Sequence, residues 1–157
     1  MQKIIDGGMF DSTSVVETVD GFPRGDKAVD AAFFARMMRC FYRDGVLRPT
    51  EGAFAVVPAS GGITVQVRPG IAWIGGRMAY LDEAASFALT AGHLYTVTLR
   101  MDLDLRRFTI EVEEDTGVAP LRTETITELL LARVNIPMNA TAVTTAMITD
   151  KRTDKTV

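Results

Sequence analysis

The feature that most constrains this chain is a change of hydrophobic period at Asp44-Gly45. Before it, apolar residues recur with helical spacing. After it they alternate every second residue to the end of the chain, which is the pattern of strands with one face buried. A single helix followed by a long series of short strands excludes helical bundles and parallel α/β folds. It predicts a mainly β protein, an antiparallel β-sandwich or barrel-like domain carrying one N-terminal helix.

The predicted helix covers residues 27–43, with Asp26 as N-cap and Asp44-Gly45 as its stop. Projected at helical spacing, Arg36, Arg39 and Arg43 share one narrow face. Val29, Phe33, Phe34, Met37, Met38, Cys40, Phe41 and Tyr42 spread over the rest. That arc is about twice the ~100° stripe that a surface helix needs to bury. Either a second layer of the same domain or another subunit must therefore cover it. Before the helix, residues 1–25 read as an irregular N-terminal arm, glycine-rich yet carrying Phe10, Val15, Val16 and Phe22. Such an arm either straps its own domain or docks on a neighbour. Residues 26–157 read as the helix-plus-β domain, one folding unit with the arm.

Within the β region, residues 54–57 and 63–67 flank Pro58 to Gly62 as a hairpin. Gly75-Gly76 suits a two-residue primed turn, which sets Trp73 opposite Met78 and Ile71 opposite Tyr80. A longer hairpin joins Tyr95–Asp102 to Phe108–Glu113, with one apolar and one charged face. Alternation fixes its parity but leaves two registers, one pairing Asp102 with Arg107 and the other pairing Arg100 with Glu111. Residues 128–136 and 142–148 are the last predicted strands, and residues 115–127 form a long polar loop.

Chemistry is sparse. One cysteine and one histidine are too few for a structural zinc site, which takes about four nitrogen or sulfur ligands. Cys40 and His93 could form a dyad only by spatial accident. Packed and loop positions explain them more simply. Glu111 and Glu113 are the best raw material for a glycosidase pair, but alternation places them on a solvated, ion-paired strand face. No glycine loop stands between a strand and a helix to cradle a phosphate. No cofactor is expected, and the reading is non-enzymatic. The net charge of -3 offers no basic field for nucleic acid. No apolar run approaches the ~18 residues of a membrane span, and the start of the chain lacks the apolar core of a secretory signal. Synthesis and folding in a cytoplasm are therefore expected.

Several motifs follow one another in a set order. Gly8-Met9-Phe10-Asp11-Ser12 stands near the start. An aromatic helix (Phe33-Phe34, Phe41-Tyr42) and a Gly45-Val46 step follow. Val65 to Gly76 then fits the pattern V-x-V-x-x-G-x-A-x-I-x-G. Val97–Asp102 with Phe108–Ile110, Glu128–Val134, and the ending Ile148-Thr149-Asp150-Lys151-Arg152 complete the series. This order resembles a family, the N-terminal attachment domains of baseplate and receptor-binding proteins of phages of Gram-positive bacteria. The first motif is similar to their Phe-Phe-Asn-Ser signature, with Met9-Phe10-Asp11 replacing the usual aromatic pair and Asn. His93-Leu94-Tyr95 stands where many members carry Arg-Ile-Asp. The likeness runs from about residue 7 to residue 152.

This resemblance implies a structural protein of a phage or prophage tail tip or baseplate, assembled in the host cytoplasm and carried in the virion. It implies docking as a homo-oligomer, with a trimer favoured, onto other tail or baseplate proteins. The chain ends soon after Arg152, leaving little room for a separate receptor-binding head. Phe10, Phe33, Phe34, Met37, Met38, Phe41 and Tyr42 are the candidate interface, and Asp150 with Arg152 a structural pair. The alternative is a carbohydrate-binding module for host cell-wall saccharide, with Trp73, Tyr80 and Tyr95 as stacking platforms unless they fill the β-core.

Overall fold

A computed structural model describes residues 1–5, 7–8, 17–19, 22–24 and 31–152, with the side chains of 1–3 and 34–152. The elements in order are β1 (Gln2–Ile5), β2 (Gly7–Gly8), β3 (Glu17–Val19), β4 (Phe22–Arg24), α1 (Ala31–Phe41), β5 (Gly45–Val46) and β6 (Val56–Pro58). They continue with β7 (Thr64–Val67), β8 (Gly70–Ile74), β9 (Arg77–Leu81), β10 (Ala85–Ala88), β11 (Leu94–Asp102), β12 (Arg107–Glu114), β13 (Ile126–Asn135) and β14 (Ile148–Asp150). The protein is mainly β, with antiparallel sheets that do not close into a barrel and are sandwich-like.

The largest sheet has the order β1-β12-β11-β13-β14, beside a four-stranded sheet β2-β9-β8-β5, a three-stranded sheet β10-β7-β6 and the pair β3-β4. Inward residues of the three larger sheets meet in one core, in which Val65, Val67, Ile74, Val97, Leu99, Ile110 and Leu131 are fully buried. Burial on this scale is the main favourable term in folding. The first strands are part of this body. β1 pairs with β12 and β2 with β9, so the stretch read as an irregular arm begins as strands of two sheets. Phe10 lies outside the described residues.

α1 ends at Phe41, two residues before the expected last helical residue Arg43, although the Tyr42 N–H still donates to the Met38 carbonyl at 2.9 Å. The chain is drawn out of the helix because Asp44 accepts from the Gly75 N–H at 2.8 Å and β5 pairs with β8. The N-terminal boundary expected near Asp26 lies outside the described residues.

The β8–β9 hairpin has the predicted register, Trp73 opposite Met78 and Ile71 opposite Tyr80. Gly75 and Gly76 have φ of 60° and 76°, as a primed turn requires. In the β11–β12 hairpin Asp102 faces Arg107. Asp102 Oδ1 also accepts the Leu105 N–H at 2.9 Å, which stabilises that turn and with it this register. Arg100 still reaches Glu111, diagonally, at 3.2 Å.

Three expectations are corrected. Glu111 is not solvated: it is 6% exposed, because β1 lies alongside β12 and sets Gln2 opposite it. Residues 142–147 are not strand. Val143 plugs the core from a loop, residues 145–147 coil into a 3-10 turn, and only Ile148–Asp150 pairs with β13. The strand expected from Phe54 starts at Val56, because Phe54 has φ 51° and is wholly buried as a plug before β6.

Candidate functional site

Alternation in the β8–β9 hairpin sends Ala72, Ile74, Ala79 and Leu81 into the core and Ile71, Trp73, Met78 and Tyr80 outward. An outward strand face in an antiparallel sheet is ordinarily polar. Here all four residues are apolar or aromatic, and Ile71 and Met78 are 42% and 37% exposed. Trp73 and Tyr80 are half-buried on this outer face, so they do not fill the β-core.

α1 sits against the end of this hairpin. A Cβ on Gly76 would lie 2.2 Å from the Ala35 carbonyl oxygen, so glycine here permits the approach of helix to turn as well as the turn itself. At the helix C-terminus Tyr42 stacks on Trp73, with ring centroids 5.1 Å apart and planes 3° from parallel. This joins the helix flank to the hairpin face. Among the described side chains of α1 only Ala35 is buried. Phe34, Met38 and the adjacent Tyr42 are half-buried, while Met37 and Phe41 are 38% and 64% exposed. Phe33 lies within α1, but its side chain is outside the described residues.

Of the interface candidates, Tyr42 is thus brought against Trp73, which shares the outer hairpin face with Tyr80. Tyr95 does not join them. It is 8% exposed in the core, and its hydroxyl accepts the Thr90 N–H at 3.1 Å.

Asp150 and Arg152 form a pair, with Arg152 Nε donating to Asp150 Oδ1 at 2.9 Å and to Oδ2 at 3.1 Å. Arg152 Nη1 donates onward to the carbonyls of Pro49 and Ala53, at 3.0 and 2.6 Å. The bond with Arg152 holds the Asp150 carboxyl below the usual carboxylate range.

The remaining candidates are engaged elsewhere. Glu111 Oε1 accepts from Gln2 at 2.8 Å and Thr109 at 3.0 Å, while Oε2 accepts from Arg100. Glu113 is exposed. Cys40 is exposed, not packed, with its thiol on the Arg36 carbonyl. His93 Nδ1 lies 3.0 Å from Glu114 and its ring faces Tyr95, so Cys40 and His93 form no dyad. Among the described residues no three His, Cys, Asp or Glu side chains cluster as a metal site requires.

Comparison with family models, curated proteins and solved structures finds no match to this chain.

Proposed function

We propose that this chain is a non-enzymatic structural protein that acts by assembling with copies of itself, using the helix flank and the outer β8–β9 face. One observation carries the reading: the aromatic helix α1 leaves Met37 and Phe41 exposed, and the outward face of the hairpin it meets through Tyr42 and Trp73 leaves Ile71 and Met78 exposed as well. Covering apolar surface releases about 25 cal/mol per Å², and large apolar side chains left exposed on both the helix and the strand face are what an interaction surface would cover. The resemblance to phage attachment domains supplies the setting, a virion component of a tail tip or baseplate docked as a trimer onto other tail proteins.

Two neighbouring readings have less support. A sugar platform made of Trp73, Tyr80 and Tyr95 loses Tyr95 to the core, and one face of Trp73 is covered by Tyr42. A hydrolase using Glu111 would need a carboxylate free to exchange a proton, and both of its oxygens are engaged.

Light scattering behind a sizing column tests the proposal. The expected result is the mass of three chains at micromolar concentration, with Phe41→Asp shifting the protein to one chain without changing its circular dichroism. Phe41 is exposed, so the substitution leaves the core intact. A protein that stays monomeric into the range of tens of micromolar overturns self-assembly.

A further inference from the structure

Arginines far apart in sequence converge beside the β8–β9 turn. Arg39 lies in the last turn of α1, Arg43 just beyond it, Arg77 at the start of β9 and Arg122 in the loop before β13. An open groove of about 490 Å³ is lined by Arg39, Tyr42, Arg43, Asp44, Arg122 and Thr127. Arg77 is not part of the lining but lies within electrostatic reach of Arg39. Its Nη1 donates to the Gly75 carbonyl at 3.3 Å, and a Cβ on Gly75 would be 3.3 Å from Arg39 Nη2. Burial first, and the charge of Arg39 second, push the Arg77 guanidinium below its ordinary pKa.

The charges do not balance. The groove is lined by three guanidinium groups and one carboxylate, a surplus of two positive charges before Arg77 is counted. Both oxygens of Asp44 are taken, Oδ1 by the Gly75 N–H at 2.8 Å and Oδ2 by Arg122 at 3.1 Å. Among the described residues Arg39 and Arg43 have no acidic partner. The chain as a whole carries -3, so this cluster runs against the overall sign. The negative end of the helix dipole favours cations at the last turn and accounts for Arg39 and Arg43. It gives no reason for Arg77 and Arg122, which arrive from a strand and a loop.

We propose that this groove is a binding site for an oxyanion of the phosphate class. Guanidinium forks match phosphate oxygens in paired hydrogen bonds. A surplus of two charges suits a dianion better than a single carboxylate. Tyr42 and Thr127 add hydroxyl-bearing side chains to the wall.

The test is calorimetric titration of the full chain in low-salt buffer, with inorganic phosphate, phenyl phosphate and acetate as probes. Phosphate is expected to bind with a dissociation constant of about 1 mM or tighter, and acetate to give no saturable heat. Tighter binding of phenyl phosphate assigns the site to phosphate esters, whereas equal or weaker binding assigns it to the free ion. Either result sustains the proposal. Arg43→Ala and Arg39→Gln should each weaken phosphate binding about tenfold, the loss of one charge-assisted bond. Arg68→Ala, outside the groove, should leave binding unchanged, and circular dichroism shows whether each variant is folded. Three outcomes overturn the proposal: no phosphate binding up to about 10 mM, acetate binding as well as phosphate, or undiminished binding in the Arg39→Gln, Arg43→Ala double variant.

Discussion

Tyr42 stacks on Trp73 across the junction of helix and sheet, with ring centroids 5.1 Å apart and planes 3° from parallel. Trp73 is the chain's one tryptophan, so its fluorescence reports on this junction alone. Tyr42→Ala uncovers one face of the indole, and the emission maximum is expected to move to longer wavelength. Aromatic pairs contribute about 0.5–1.5 kcal/mol beyond the area they bury, so a loss of that order is expected in chemical denaturation. An unchanged spectrum would show that the pair is not held in solution.

Gly75 and Gly76 share the turn but not its sensitivity. A Cβ at Gly76 meets the Ala35 carbonyl oxygen at 2.2 Å, which is backbone and cannot give way without moving α1. A Cβ at Gly75 meets the terminal methyl of Met101 at 2.4 Å, the far end of a flexible side chain. Both positions are left-handed, so either substitution incurs about 1 kcal/mol of backbone strain. Gly76→Ala should incur at least about 1 kcal/mol more, within the range for overpacking. It should also speed tryptic cleavage at Arg36, Arg39 and Arg43. Equal effects of the two substitutions in urea denaturation would contradict this account of how the helix is seated.

What the sequence disclosed depended on how local the cause was. Gly75-Gly76 sets the pairing of its flanking residues within a few positions, and that register was legible in full. The register of the β11–β12 hairpin was not, since Asp102–Arg107 and Arg100–Glu111 are both good pairs. The capture of the Leu105 N–H by Asp102 favours the first, and side-chain reach preserves the second. Burial of Glu111 was hidden because its cover comes from Gln2, at the other end of the chain. Trp73 and Tyr80 were ambiguous for a different reason: alternation names two faces but cannot say which is core when both are apolar. Of the arginine groove, helical spacing gave only the shared face of Arg39 and Arg43, while Arg122 arrives from far along the chain with no local signal.

Glu111 is a buried carboxylate whose value depends on three partners, Gln2, Thr109 and Arg100. Glu111→Gln keeps the shape and removes the charge that faces Arg100. Arg100 would retain Glu128 at 3.5 Å, the longer of its two ion pairs. Breaking a largely buried pair from one side costs up to about 3–5 kcal/mol, and the remaining partner brings the expectation here to about 1–3 kcal/mol. Glu113→Gln, two residues along on the same face but exposed, should change stability by less than about 0.5 kcal/mol. Urea midpoints of the two variants check the contrast. Equal midpoints would mean that the Gln2–Glu111–Arg100 cluster does not form.

Arg152 holds two separable things, and pH divides them. Its contact with Asp150 lowers that carboxyl's pKa in the folded state, relative to about 3.9 in an unfolded chain. A lowered folded pKa means that the unfolded chain takes up the proton first. The stabilisation is therefore complete above about pH 4 and is lost as pH falls through the folded value. Its bonds to the Pro49 and Ala53 carbonyls do not titrate, and they hold a segment flanked by Arg48 and Phe54, both at positive φ. Strain of that kind persists only where the surroundings enforce it. Arg152→Ala should therefore lower the urea midpoint at every pH, with the deficit shrinking, but not vanishing, below about pH 4. Asp150→Asn should lower it at neutral pH only and converge with the parent in acid. If the two variants lost stability in parallel across the whole range, the carbonyl bonds of Arg152 would have no role apart from the ion pair.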